Sequence, residues 1–193
     1  MTEKKLRTMM IALAWILPIW SILLAASMPL THFNLSYIGN SLHKRFGFIG
    51  WGVLSGSYFY LSFHYFLKRL HISDRSLQLG ILISCIMMPL STIVPYLPKR
   101  YPLLSNIHLV MAIGGTAGYI LLFLGLLLKT MRTDILLFQK AFQSYCFICI
   151  GCALPILMLA SVTSLSEVMF TTFMPLYHQY LIKLMKDSSL IDY

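Results

Sequence analysis

The sequence predicts an all-α fold, a polytopic membrane bundle of six transmembrane helices with both termini in the cytoplasm. Three observations predict it. Hydrophobic residues make up 58% of the 193-residue chain and charged ones 11%, under half the share of charge in an average soluble domain. Mean hydropathy is +0.77, so one small core cannot hide the apolar surface and bilayer lipid is the expected solvent. The chain also divides into six apolar segments, at 8–30, 46–67, 77–97, 106–128, 142–162 and 166–185, each near the roughly 20 residues a helix needs to cross hydrocarbon. Short connections make neighbours antiparallel, and no second domain is expected within 1–193.

The first segment follows a basic start, MTEKKLRT, as in a secretory signal. Its apolar run from Thr8 to Leu30 exceeds the usual signal core, so a retained anchor is expected. The second segment holds Gly52-Val-Leu-Ser-Gly56 and the fourth Gly114-Gly-Thr-Ala-Gly118. Small residues at this spacing let helix backbones approach closely, here within one bundle. The third segment ends in MMPLSTIVPYLPKRYP. Pro89 removes a helix hydrogen bond, Ser91 and Thr92 can satisfy freed carbonyls, and Pro95 and Pro98 stop the helix. Pro18, Pro155 and Pro175 interrupt three other segments. In the fifth segment Cys146, Cys149 and Cys152 step by three, the spacing of CxxC, but they lie inside an apolar span where charged thiolates have no supporting shell, and no second pair completes a zinc knuckle. With Cys85 they read as inert small hydrophobes.

Orientation follows from the distribution of Lys and Arg. Eleven lie at one set of segment ends: Lys4, Lys5, Arg7, Lys68, Arg69, Arg75, Lys129, Arg132, Lys140, Lys183 and Lys186. Four lie at the other: Lys44, Arg45, Lys99 and Arg100. The richer set belongs in the cytoplasm. Two outward loops, HKRFG and PKRYP, then carry a Lys-Arg pair, while the third, TSLSEV, carries Glu167. Lys44, Arg45, Lys99 and Arg100 are expected to line an outer cleft with His108. That cleft would hold an anionic lipid headgroup or a small amphiphile, with Glu167 as a structural counter-charge. The plainer alternative is that these cations anchor helix ends among lipid headgroups. The net charge of +9 does not indicate nucleic acid, because the cations sit in short clusters between spans and no recognition motif accompanies them.

The six acidic residues, Glu3, Asp74, Asp134, Glu167, Asp187 and Asp192, all fall at segment ends or in loops. That excludes a proton pump working through a carboxylate relay at mid-membrane. No nucleophile elbow, phosphate loop or HExxH string occurs. The expected role is binding or accessory rather than enzymatic, with no cofactor. Its partners are the bilayer, an anionic lipid or small amphiphile, or another membrane protein. A transporter, or its membrane subunit, is the alternative. A weaker one pairs His64 and His178 as axial ligands of a haem, against each bonding a nearby hydroxyl or carbonyl.

The strings LSYIGNSLHKRFGFIGWGVLSG and VPYLPKRYPLLSNIHLVMAIGG carry a family resemblance. The chain resembles small bacterial six-helix membrane proteins grouped as a domain of unknown function, the one numbered nine hundred and ninety-eight. More distantly it is similar to the FRAG/DRAM/SFK-type membrane proteins. The matching elements are Ser36, Ile38 and Gly39 in the first outer loop, Pro95 after the third span and His108 at the head of the fourth. The resemblance covers about residues 8–130. It implies a six-helix bundle in a plasma membrane and an outward polar patch near Ser36, Gly39, Pro95 and His108. It implies no reaction.

Overall fold

The computed structural model describes residues 3–41 and 43–187, which form seven helices and no strand. Six are long: α1 (Glu3–Ala25), α3 (Arg45–Arg69), α4 (Arg75–Ile93), α5 (Pro102–Thr130), α6 (Ile135–Leu159) and α7 (Ser164–Asp187). Each expected span falls on one of them. The seventh, α2 (Leu35–Ser41), has seven residues and was not expected. α1 also stops before Ser27 and Pro29, earlier than the apolar run suggests.

Helices α1 (from Lys5), α4, α5 and α6 are long and apolar enough to cross a membrane. α3 and α7 match them in length, with 25 and 24 residues, but are more polar. Several of their polar groups point inward, while Ser57 and His64 of α3 are exposed. α3 buries Ser55, Tyr58 and Ser62, and α7 buries Thr171, Tyr177 and His178. The long helices pack in a ring, in the order α1, α3, α4, α5, α6, α7 and back to α1.

Aromatic side chains fill the centre. His178 is fully buried, with Nδ1 3.1 Å from the Tyr58 hydroxyl and Nε2 3.0 Å from that of Tyr119. A neutral imidazole has one donor and one acceptor nitrogen, so one tyrosine donates to it and the other accepts. Phe59, Phe66 and Phe123 pack around the same ring. One histidine thereby joins α3, α5 and α7 without leaving a nitrogen unbonded, as a buried polar group requires.

Glycine sets the approach of α3 to α4. Pro89 has no N–H for the carbonyl of Cys85, one helical turn earlier. A Cβ on Gly56 would lie 2.5 Å from that oxygen and 2.9 Å from Pro89 Cδ. The proline-freed carbonyl therefore backs onto a residue with no side chain. Gly118 on α5 does the same against Ser84 on α4, whose Oγ would lie 2.5 Å from an added Cβ. The small-xxx-small stretches are contacts inside the bundle.

At the opposite end from α2, Asp74 caps α4 by accepting from Ser76 N and Leu77 N at 2.9 and 3.1 Å. Lys129 Nζ lies 2.8 Å from its Oδ2. The Lys129 hydrogen bond, with the Leu77 amide, holds this carboxyl below the usual range. Asp134 caps α6 through Leu137 N at 2.9 Å.

Replacing Gly56 by Val should lower stability by about 1–3 kcal/mol, the usual cost of overpacking, because its neighbours are backbone and a ring. Gly151, with no neighbour within 4 Å of an added Cβ, should accept Ala within about 0.5 kcal/mol. Thermal unfolding in detergent measures both. Equal effects would contradict the packing described.

Candidate functional site

The first inter-helix connection folds back over the bundle. Asn34 caps α2, its Oδ1 accepting from Tyr37 N at 2.7 Å. Leu35 N donates to Glu167 Oε2 at 2.6 Å. The preceding loop is sewn to the start of α7 by Ser164 N donating to Phe33 O at 2.7 Å and Leu165 N donating to Leu30 O at 3.0 Å. Leu35 and Ile38 sink into a small apolar cluster with Leu24, Ala25 and Phe48. At Gly39 any side chain would strike the Phe48 ring, whose Cγ would be 2.5 Å from a Cβ. A seven-residue segment has little helix propensity to spend. These contacts hold α2 in place.

From α2, Ser36 points down at His108 in the second turn of α5. Ser36 Oγ and His108 Nε2 are 2.8 Å apart. His108 Nδ1 lies 2.6 Å from Ser91 O and 3.0 Å from Val94 O, the carbonyls at the end of α4. A carbonyl only accepts, so Nδ1 carries the proton. Nε2 of the neutral ring is then bare and accepts from the Ser36 hydroxyl. Both side chains are buried, at 5% and 2% exposure.

Beneath this pair is a cavity of about 420 Å³, within the range of small-molecule sites. Its upper end holds the polar groups Asn34, Ser36, Ser91, His108 and Glu167. Its shaft is mainly apolar, bounded by Phe59, Ile120, Ile148, Phe170 and Met174, with Ser55, Thr116 and Thr171 also on the wall. The space exists because facing residues are small: Ala112, Thr116 and Ala117 on α5, and Cys149, Cys152 and Ala153 on α6. α5 packs closely along α4 but loosely on α6. Ile113 on α5 and Ile156 on α6 both line the cavity and are exposed on the outer surface.

The geometry does not gather the cationic residues expected from sequence around this cavity. None of Lys44, Arg45, Lys99 and Arg100 lines the cavity. Lys44 Nζ donates to Ser27 Oγ at 2.5 Å. Arg45 donates to Asn40 Oδ1 and, at 2.5 Å, to Ile93 O, so it clamps α2 to the C-terminal end of α4. Lys99 and Arg100 are exposed on the turn between α4 and α5, with the Arg100 guanidinium 5.3 Å from the Tyr101 ring centroid. Glu167 pairs with no Lys or Arg among the described residues; its carboxylate caps α2 instead. Of the expected ligand residues, Ser36 and His108 come together and Gly39 shapes the seat of α2.

The two histidines of the haem alternative are not brought together either. His64 is exposed on the bundle surface, stacked 6.2 Å from Tyr60. His178 is at the centre with both nitrogens engaged by tyrosines. The two imidazoles do not face a shared space. Asn34 is the site residue that sequence reasoning missed. Its signal was the sequon Asn34-Leu35-Ser36, which also reads as a helix cap.

Arg45→Gln should cost about 1.5–3 kcal/mol, the range for hydrogen bonds to a charged group, and speed amide exchange in α2. Arg100→Gln should stay within about 0.5 kcal/mol. Hydrogen exchange with thermal unfolding distinguishes them, and matching behaviour would refute the clamp. In comparisons with protein-family models, curated proteins and solved structures, nothing matches this chain.

Proposed function

We propose that this protein crosses a bacterial cell membrane six times, with both termini in the cytoplasm, and receives a single-chain amphiphile from the outer leaflet into the cavity beneath α2. α3 and α7 belong to the same ring as the four strongly apolar helices, which supports their crossing too. The excess of Lys and Arg at the ends opposite α2 supports the orientation. The resemblance to small bacterial six-helix proteins supports the choice of membrane.

The observation that carries the reading is the cavity's polarity. Most hydrogen-bonding groups gather at one end, a mainly apolar shaft follows, and the exposed Ile113 and Ile156 put the α5–α6 side of the cavity where lipid chains would lie. An amphiphile entering sideways keeps its tail in apolar surroundings throughout. Glu167 at the polar end, with no cation beside it, favours a neutral or zwitterionic head over an anionic one. The Lys-Arg pairs then serve the scaffold and the headgroup layer. The role is binding, alone or as an accessory to another membrane protein.

Native mass spectrometry with a long-chain monoacylglycerol tests this. The wild type should retain one molecule. Ala153→Phe, which puts a ring into the shaft, should weaken retention more than about tenfold, since excluding two methylenes at about 0.8 kcal/mol each suffices. Retention unchanged by Ala153→Phe would sink the reading.

A further inference from the structure

We propose that Ser36 and His108 are a nucleophile and its general base, acting on the carboxylic ester of a single-chain amphiphile held in the cavity. This rests on the cavity being an amphiphile site and goes beyond binding. It also departs from the non-enzymatic role expected from sequence, because the two residues lie 72 positions apart and form no motif.

The geometry has the parts such a pair needs. Serine and imidazole are within hydrogen-bond reach, and the base is itself oriented by a third group. Here Ser91 O and Val94 O do the orienting, fixing the proton on Nδ1 and the lone pair of Nε2 toward Ser36 Oγ. A bond serving only to pin α2 to α5 would not need to border a ligand-sized space, yet both residues line it. Asn34 lines the same end. Its Oδ1 is taken by Tyr37 N, so the side-chain amide nitrogen is the group left to donate to a developing oxyanion.

Ser36 Oγ attacks the ester carbonyl carbon while His108 Nε2 takes the hydroxyl proton. The carbonyl oxygen becomes an oxyanion. It collapses, the bond to the alkoxy oxygen breaks, and the leaving alcohol takes the proton from Nε2. The acyl group is now esterified to Ser36. Water attacks this second ester, giving its proton to Nε2. Collapse returns the proton to Ser36 Oγ and releases the carboxylic acid. The histidine ends as it began.

The test uses the full-length protein in detergent with a long-chain alkyl fluorophosphonate, which is attacked by activated serines. Peptide mass spectrometry should locate the adduct on Ser36, and a long-chain monoacylglycerol should be turned over to fatty acid and glycerol. His108→Asn keeps an amide donor for the α4 carbonyls but removes the base. It should slow both reactions at least about 100-fold, measured on the fraction of protein that native mass spectrometry shows holding monoacylglycerol. Labelling of Ser36 at the same rate in His108→Asn would overturn the inference. So would a wild type that retains monoacylglycerol yet gives no Ser36 adduct, and that result would leave the binding role standing. Failure of the wild type to retain monoacylglycerol at all would defeat both. The adduct is mapped on the wild type, so the conclusion does not depend on how well a Ser36→Ala variant folds.

Discussion

The imidazole of His108 is the joint on which the polar end of this molecule depends. It belongs to α5, donates to carbonyls at the end of α4, and accepts from the hydroxyl of Ser36 on α2. Pro95 and Pro98 follow the helix end and Pro102 opens α5, so the local chain is short of N–H groups: Ser91 O takes the Val94 amide at 3.1 Å as well as His108, and Val94 O takes His108. A buried donor supplied from the neighbouring helix meets that need. It also leaves the second nitrogen facing the cavity. Helix termination, the seating of α2 and the chemistry of the site thus share one side chain.

Charge at this end of the bundle is used in two ways. Arg45 reaches the last carbonyl of α4, Ile93 O, where a cation complements the helix dipole, and holds Asn40 of α2. Glu167 sits at the other end of α2 and takes its first amide. The short helix therefore has a carboxylate at its start and a guanidinium at its finish, the arrangement its dipole favours. With these charges committed to α2, the cavity wall is left with neutral donors and acceptors and a single carboxylate.

Much of the architecture was legible from hydropathy alone, because a crossing helix needs a long apolar run and each such run became a helix. The glycine spacing in α3 and α5 was legible for the same reason: close backbone approach demands small residues at a helical period. α2 was not legible. Gly39 and Asn40 signal a turn, and the helix there exists through contacts with Glu167, Arg45 and Phe48, all supplied from elsewhere in the chain. The site was half legible. Ser36 and His108 stood out as elements of a family resemblance, but their hydrogen bond is a product of tertiary structure. The Lys-Arg pairs do not meet at the cavity, because adjacency in sequence says nothing about where a long side chain ends. His64 and His178 likewise stay apart, since one faces outward and the other is sealed by tyrosines.

The claim on which the cavity's chemistry turns is the protonation pattern of His108, and nitrogen NMR of the labelled protein reads it directly. The imidazole resonances that disappear in His108→Asn should show, at neutral pH, a proton on Nδ1 and a bare Nε2. A proton on Nε2 with Nδ1 bare would mean that the ring does not donate to the end of α4 and does not accept from Ser36. The account of the joint, and of the pair built on it, would then be wrong.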